Sequence, residues 1–202
     1  MPSPSFVGRL ALLLVALVAG PRSLPAMQEP LTPAERDEAR AVADSILRQG
    51  GRPLAERRVF AVSVEAFRDK EREEAGDTSH RALVTHYQYE GDRAILTYVD
   101  LRARRAFLQE TIAHLPVPLA PEELSAARDL ALADSAVARA LAPYREHLVV
   151  EPLVVRTTDP GDPIAGQRVV RLLFRVGADY LRRPIVTVNL STRKVILDEE
   201  AQ

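Results

Sequence analysis

The chain of 202 residues carries 27 basic and 28 acidic side chains, five Phe, five Tyr, no Trp and no Cys. A formal net charge of −1 supplies no global field for nucleic acid or an anionic membrane, and so few aromatics give little stacking surface for bases or sugars. Without cysteine there are no disulfides, no thiolate metal sites and no lipid anchor on a Cys, so the fold must rest on its apolar core.

Residues 1–26 read as an export signal. Arg9 is the only charge before the apolar run 10–20, which is too short to span a bilayer comfortably, and Leu24-Pro25-Ala26 is a better cleavage site than Gly20, which would leave Pro21 first. An uncleaved anchor is the alternative. The reading places the chain outside the cytoplasm, periplasmic or secreted, with no membrane span once the signal is removed. About 175 residues then remain, enough for one medium domain or two small ones.

Thr32-Pro33-Ala34-Glu35 is a capping box with proline at the first helical position. Ala39, Val42, Ala43, Ile46 and Leu47 form one apolar stripe, and Gly50-Gly51 supplies the stop, so a helix is expected that needs a surface to cover. Strands are expected at 59–64, 82–89, 93–101 and 104–112, with Glu90-Gly91-Asp92 as a tight hairpin turn and the charged segment 69–79 as an exposed loop. Pro116-Val117-Pro118 reads as a stiff linker. A second helix begins near Pro121 with Leu124, Ala127, Leu130 and Ala131 inward; Asp134-Ser135 interrupts it and caps a short continuation with Val137, Ala138 and Leu141. Strands follow at 147–157, 168–177, 184–190 and 194–197, with a loop at 158–166.

The two halves repeat each other. Leu31-Thr32-Pro33-Ala34-Glu35 returns as Leu119-Ala120-Pro121-Glu122-Glu123, and Val99-Asp100-Leu101 returns as Val188-Asn189-Leu190. Pro121 follows Pro33 by 88 residues and Leu190 follows Leu101 by 89, so the separated signals share one period. In the second motif the flanking apolar residues share one strand face while Asp or Asn accepts from amides of the next turn. The expected fold is α+β: two tandem units, 27–115 and 116–202, each one helix packed on a four-stranded antiparallel sheet whose other face is open.

These residues resemble the small non-catalytic N-terminal domains of copper-containing amine oxidases, paired helix-and-sheet modules of cystatin-like shape. Pro30-Leu31-Thr32-Pro33-Ala34-Glu35 is similar to the opening of the first such domain, Val99-Asp100-Leu101 to its Val-Asp-Leu turn, and Leu115-Pro116-Val117-Pro118 to the passage into the second. Ala178-Asp179-Tyr180-Leu181-Arg182-Arg183-Pro184-Ile185 resembles the Tyr-Ala-x-Pro-Ile stretch of the second domain, and Val188-Asn189-Leu190 its following strand. The family's catalysis uses a later β-domain with a tyrosine-derived quinone and three copper-binding histidines, and nothing in this chain matches that context. The resemblance therefore implies a stand-alone module of the non-catalytic kind; extracytoplasmic PepSY-type domains are similar in outline.

Candidate chemistry is sparse. His80, His86, His114 and His147 are the only imidazoles; His80 and His86 share strand parity but stand about 20 Å apart, so all four read as scattered surface or interface histidines. Glu73-Glu74, Glu122-Glu123 and Glu199-Glu200 read as solvated loop, first-turn dipole partners and tail. No Gly-x-Ser-x-Gly elbow or phosphate cradle is present. Gln167-Arg168-Val169-Val170-Arg171 resembles the Gln-x-Val-x-Gly inhibitory loop of cystatins in part, but its alternation reads as a strand. One candidate site remains, an anion-binding edge of Arg102, Arg104, Arg105, Arg182, Arg183, Arg193 and Lys194 at strand turns. The expected function is an exported non-catalytic interaction or structural module with a protein partner and no cofactor, bound at the sheet faces or the groove between units. Its alternatives are an accessory or vestigial component of a copper amine oxidase system and a peptidase inhibitor.

Overall fold

The computed structural model describes residues 30–48, 51–68, 76, 80–157 and 159–198. The segment 1–26 expected to be an export signal, nearly all of the charged segment 69–79, residues 49, 50 and 158, and Glu199-Glu200 lie outside the described residues.

Helix α1 (Pro33–Arg48) starts as its capping box dictates. Glu35 donates its amide to the Thr32 hydroxyl at 3.3 Å, and its carboxylate receives the Thr32 amide at 2.8 Å. The helix lies on one face of an antiparallel meander of β1 (Val59–Ala66), β2 (Arg81–Gln88), β3 (Arg93–Asp100) and β4 (Arg105–Ala113), in sheet order β1-β2-β3-β4. Ala39 and Ala43 pack on Ala82, Val84 and Val99, while Leu47 packs on Val59 and Ile95. Small residues on the helix let it sit close to the sheet.

The outer face of this sheet departs from expectation. In β2 not only the helix-facing Ala82, Val84 and His86 are buried but also Arg81, Thr85 and Tyr87, which point the other way. For Tyr87 the linker causes this: Val117 folds back with Leu115 onto Tyr87 and Ala94, covering that end of the face expected to be open, while at the other end Arg81 lies beside the Phe107 ring of β4.

The second half has α2 (Pro121–Ala133) and α3 (Ser135–Leu141), a 3-10 turn (Ala142–Tyr144), and a five-stranded antiparallel sheet. Its path is β5 (Leu148–Val155), β6 (Val169–Val176), β8 (Ile185–Asn189) and β9 (Lys194–Asp198), with β7 (Asp179–Tyr180) paired to β6. The helix break falls at Asp134, whose Oδ1 accepts from the amides of Ala136 at 2.9 Å and Val137 at 3.1 Å. Ala127, Ala131, Val137 and Leu141 bury against Val170, Leu172, Phe174, Val186, Val188 and Leu190. At roughly 1.5–3 kcal/mol for each fully buried large apolar side chain, this cluster dominates the stability of its half. The two-residue β7 was not predicted: Gly177 turns the chain at φ +61°, and Leu181 donates to the Phe174 carbonyl at 2.8 Å. The expected four-stranded sheet therefore has a fifth, short strand.

The recurring strand-to-turn motif has one geometry in both places. Asp100 Oδ1 accepts from Ala103 N at 2.8 Å, and Asn189 Oδ1 accepts from Thr192 N at 3.1 Å. The next residues, Arg104 and Arg193, take φ of +51° and +58°. Leu101 and Leu190 then donate to the carbonyls of His80 and Arg168, the residues that open β2 and β6.

Candidate functional site

The two halves meet along a seam of buried polar groups, and one arginine organises it. Arg168, at the entry to β6, and Glu123, in the first turn of α2, are 0% and 2% exposed. The guanidinium donates to both Glu123 oxygens, from Nε at 3.0 Å and Nη2 at 3.0 Å, to the Val117 carbonyl from Nη1 at 2.9 Å, and to the Pro118 carbonyl. The first half roofs it with the Tyr87 ring, 4.2 Å from the guanidinium carbon to the ring centroid. Burying both ions costs several kcal/mol each, a cost offset only when the remaining donors and lone pairs are satisfied. Here they are satisfied: Glu123 also accepts from Tyr89 Oη at 2.7 Å and from Ala120 N at 2.9 Å.

Glu123 sits there because Ala120, lacking a hydroxyl, leaves the N-terminus of α2 to be closed by the glutamate alone. Reaching back to that amide points the carboxylate toward Arg168. Glu122 and Glu123 both stand in the first turn of α2, the place expected of dipole partners; Glu123 is in addition buried and ion-paired, whereas Glu122 is exposed and faces Arg40 at 3.8 Å. Tyr89 remains a protonated donor, since burial and then the Glu123 charge push its phenol up. Arg58, held at φ +51°, stacks 3.7 Å over the Tyr89 ring and donates to the carbonyls of Leu190 at 2.7 Å and Ser191 at 3.1 Å.

Asp92 forms the second cluster of the seam. The Glu90-Gly91-Asp92 turn forms as expected, with Asp92 at φ +46°, but Asp92 is only 3% exposed. Its carboxylate accepts from Tyr87 Oη at 2.8 Å, His114 Nδ1 at 3.0 Å, and Arg156 Nη1 and Nη2 at 3.1 and 3.2 Å. Burial pushes this carboxyl up, but those hydrogen bonds outweigh it and hold Asp92 below the usual aspartate range. Because a carboxylate only accepts, His114 carries a proton on Nδ1. His114 itself has φ +58° and is largely exposed. Beside this cluster lies a cleft of about 380 Å³ whose other walls include Pro116, Asp159, Ile164 and Gln167, so the loop at 159–167 meets the first half here. The groove expected between units is therefore divided: this cleft lies at the Asp92 end of the seam, and a smaller pocket of about 320 Å³ opens between Arg58, Phe60 and Tyr89 of the first half and Glu122, Leu130 and Leu190 of the second.

The histidines also need correction. His80 Nδ1 meets Glu35 Oε1 at 2.9 Å and His86 Nε2 meets Asp44 Oδ1 at 2.8 Å, so both join β2 or its entry to α1. They do share one face, as parity demands, yet His86 is fully buried rather than a surface residue. Among the described residues no group of three or more His, Asp or Glu stands together as a metal-binding cluster.

The seven basic residues of the expected anion edge are exposed, but they lie at three separate places. Arg102, Arg104 and Arg105 occupy the β3–β4 turn, where Arg104 Nε pairs with Glu38 at 2.5 Å. Arg193 and Lys194 follow β8, Arg182 and Arg183 precede it, and Arg193 borders a pocket with Arg58, Tyr89 and Glu123 at the far end of the first sheet. Residues 167–171 enter β6 with Val169 and Val170 buried, so this stretch is a strand as predicted and presents no inhibitory loop.

The outer face of the second sheet is apolar in part. Cross-strand register aligns Leu153, Arg171, Thr187 and Ile196 in one row, with Glu151 beside Leu173 and Val149 beside Arg175 in the next two. Val149, Leu153, Leu173 and Ile196 are all exposed, and Tyr180 leans over them to donate to Glu151 at 2.5 Å.

The fold is similar to that of a copper-containing benzylamine oxidase from Hansenula polymorpha, with a TM-score of 0.53 and 14% identity over 84% of this chain. The chain spans 29% of the length of that enzyme. No protein-family model and no curated protein matches it. Among the described residues no helix is long and apolar enough to cross a membrane.

Proposed function

We propose that the chain is an exported, non-catalytic interaction module of two tandem cystatin-like units that arose by duplication. The observation that carries the reading is the set of four exposed apolar side chains on the outer face of the second sheet, Val149, Leu153, Leu173 and Ile196, set among Glu151, Arg171, Arg175 and Thr187, on a body whose seam is tied by buried ion pairs. Exposed apolar patches of this kind serve protein association. The matching hydrogen bonds of the Val99-Asp100-Leu101 and Val188-Asn189-Leu190 turns support the duplication, and the likeness to part of an amine oxidase supports the kind of fold. The partner is a protein of the cell envelope or the exterior.

The test is photo-crosslinking from position 153 in the native envelope, compared with an L153E/I196E variant. A discrete crosslinked protein that disappears in the folded double variant supports the reading; no crosslink together with turnover of a small molecule overturns it. A second reading, an accessory component of a copper amine oxidase system, is favoured by the identity of the structural neighbour. Stoichiometric copper in purified protein supports it, and metal-free protein after copper loading removes it.

A further inference from the structure

His86 differs from the other paired histidines. Its side chain is 0% exposed, against 34% for His80 and 71% for His114. Asp44 accepts from His86 Nε2 through Oδ1 and from Arg48 Nη2 through Oδ2 at 3.1 Å. Since a carboxylate cannot donate, Nε2 holds the proton and Nδ1 is left as a bare lone pair, buried and without a hydrogen-bond partner. A second proton can go only to Nδ1, where no acceptor waits.

Burial opposes that proton most, with Arg40 adding to the opposition, while the hydrogen bond and charge of Asp44 favour it; the balance lies below the ordinary imidazole range. Arg40, Asp44 and Arg48 all come from α1. The residues opposite His86 on β1 and β3, Ala61 and Ile95, are uncharged, so neither strand neighbour offers a counter-ion.

The same Asp44 lines a cleft of about 560 Å³ between the C-terminal half of α1 and the start of β1, with Leu54, Phe60 and Ala61 among its other walls. We propose that His86 and Asp44 form a proton-operated latch: the neutral imidazole holds the C-terminal half of α1 on β2, and protonation at Nδ1 releases that half and widens the cleft.

The sign follows from linkage. The unfolded or released form takes up the proton near pH 6.5, the closed form only at lower pH. The closed state is therefore fully favoured above about pH 6.5, loses up to about tenfold in its equilibrium constant per pH unit below that, and levels off once the closed form is also protonated.

Amide hydrogen exchange of residues 42–48 in the full chain, corrected for intrinsic rates between pH 7.5 and 5, reads the latch directly. Opening should rise up to about tenfold per pH unit below about 6.5 in the wild type. In H86Q, whose amide still donates to Asp44 but binds no proton, opening should be flat over the same interval. An equal rise in H86Q, or none in the wild type, overturns the proposal. Should H86Q fail to fold, the His86 imidazole resonances of the wild type decide: they should titrate with the opening of 42–48, and independent titration overturns the latch. H80Q, altered at the other end of α1, should keep the response; its loss there also counts against the proposal.

Discussion

Arg168 illustrates how a single side chain can set the relation between two sheets. Its three donor nitrogens are all used, so removing the charge leaves the buried Glu123 carboxylate without its counter-ion. R168A should cost about 3–5 kcal/mol by urea denaturation, whereas R168M/E123L should recover much of that loss, because a buried pair is expensive to break and cheap to replace. Asp92 makes a pH-dependent contribution to stability. Its folded pKa is depressed, so its stabilisation is present above about pH 4 and is lost as pH falls through the folded value. D92N should lower stability at pH 7 and flatten the acid limb of the stability profile; an unchanged limb would show that the cluster contributes nothing. Neither role was legible in sequence. Glu123 looked like an ordinary first-turn acid and Asp92 an ordinary turn residue, because local chemistry explains both positions and their ion partners lie 45 and 64 residues away.

At the scale of elements, local chemistry was a good guide. The capping box at Thr32, the helix break at Asp134, the hairpin turn at Glu90-Gly91-Asp92 and the paired strand-to-turn motifs all form, each being decided by residues within four positions of one another. T32A should therefore cost about 0.5–2 kcal/mol, with T32S close to wild type, measured by chemical denaturation. What local chemistry missed are features made by other parts of the chain. The two-residue β7 has too few residues for a periodic signal, and the burial of Tyr87 depends on a linker that folds back rather than bridging freely. The expectation of an open face came from treating each sheet alone.

For the whole molecule, the seam couples two cores that pattern reading separates. Tyr89 packs against the second core while donating to Glu123, and Arg58 of the first half caps carbonyls of the second. Calorimetry should show one cooperative transition in the wild type and two after R168A, since each half has its own apolar cluster to fall back on. Two transitions in the wild type would mean that the seam does not couple the halves. The exposed row on the second sheet lies away from this seam on the opposite face from α2 and α3, so L153E/I196E should leave that transition nearly unmoved while changing association.

The seam is also unequal in what each half brings to it. Glu123, Arg168 and the carbonyls of Val117 and Pro118 all follow the proline-rich passage, so the second half neutralises its own buried charge. The first half contributes the Tyr87 and Tyr89 rings and an Asp92 carboxylate that waits for Arg156. Dependence is therefore unequal: cleavage between residues 115 and 116 would leave the second half with a wetter but still paired arginine, though without the Arg58 and Tyr89 donors, and the first with an apolar floor bared and an aspartate deprived of its Arg156 counter-ion.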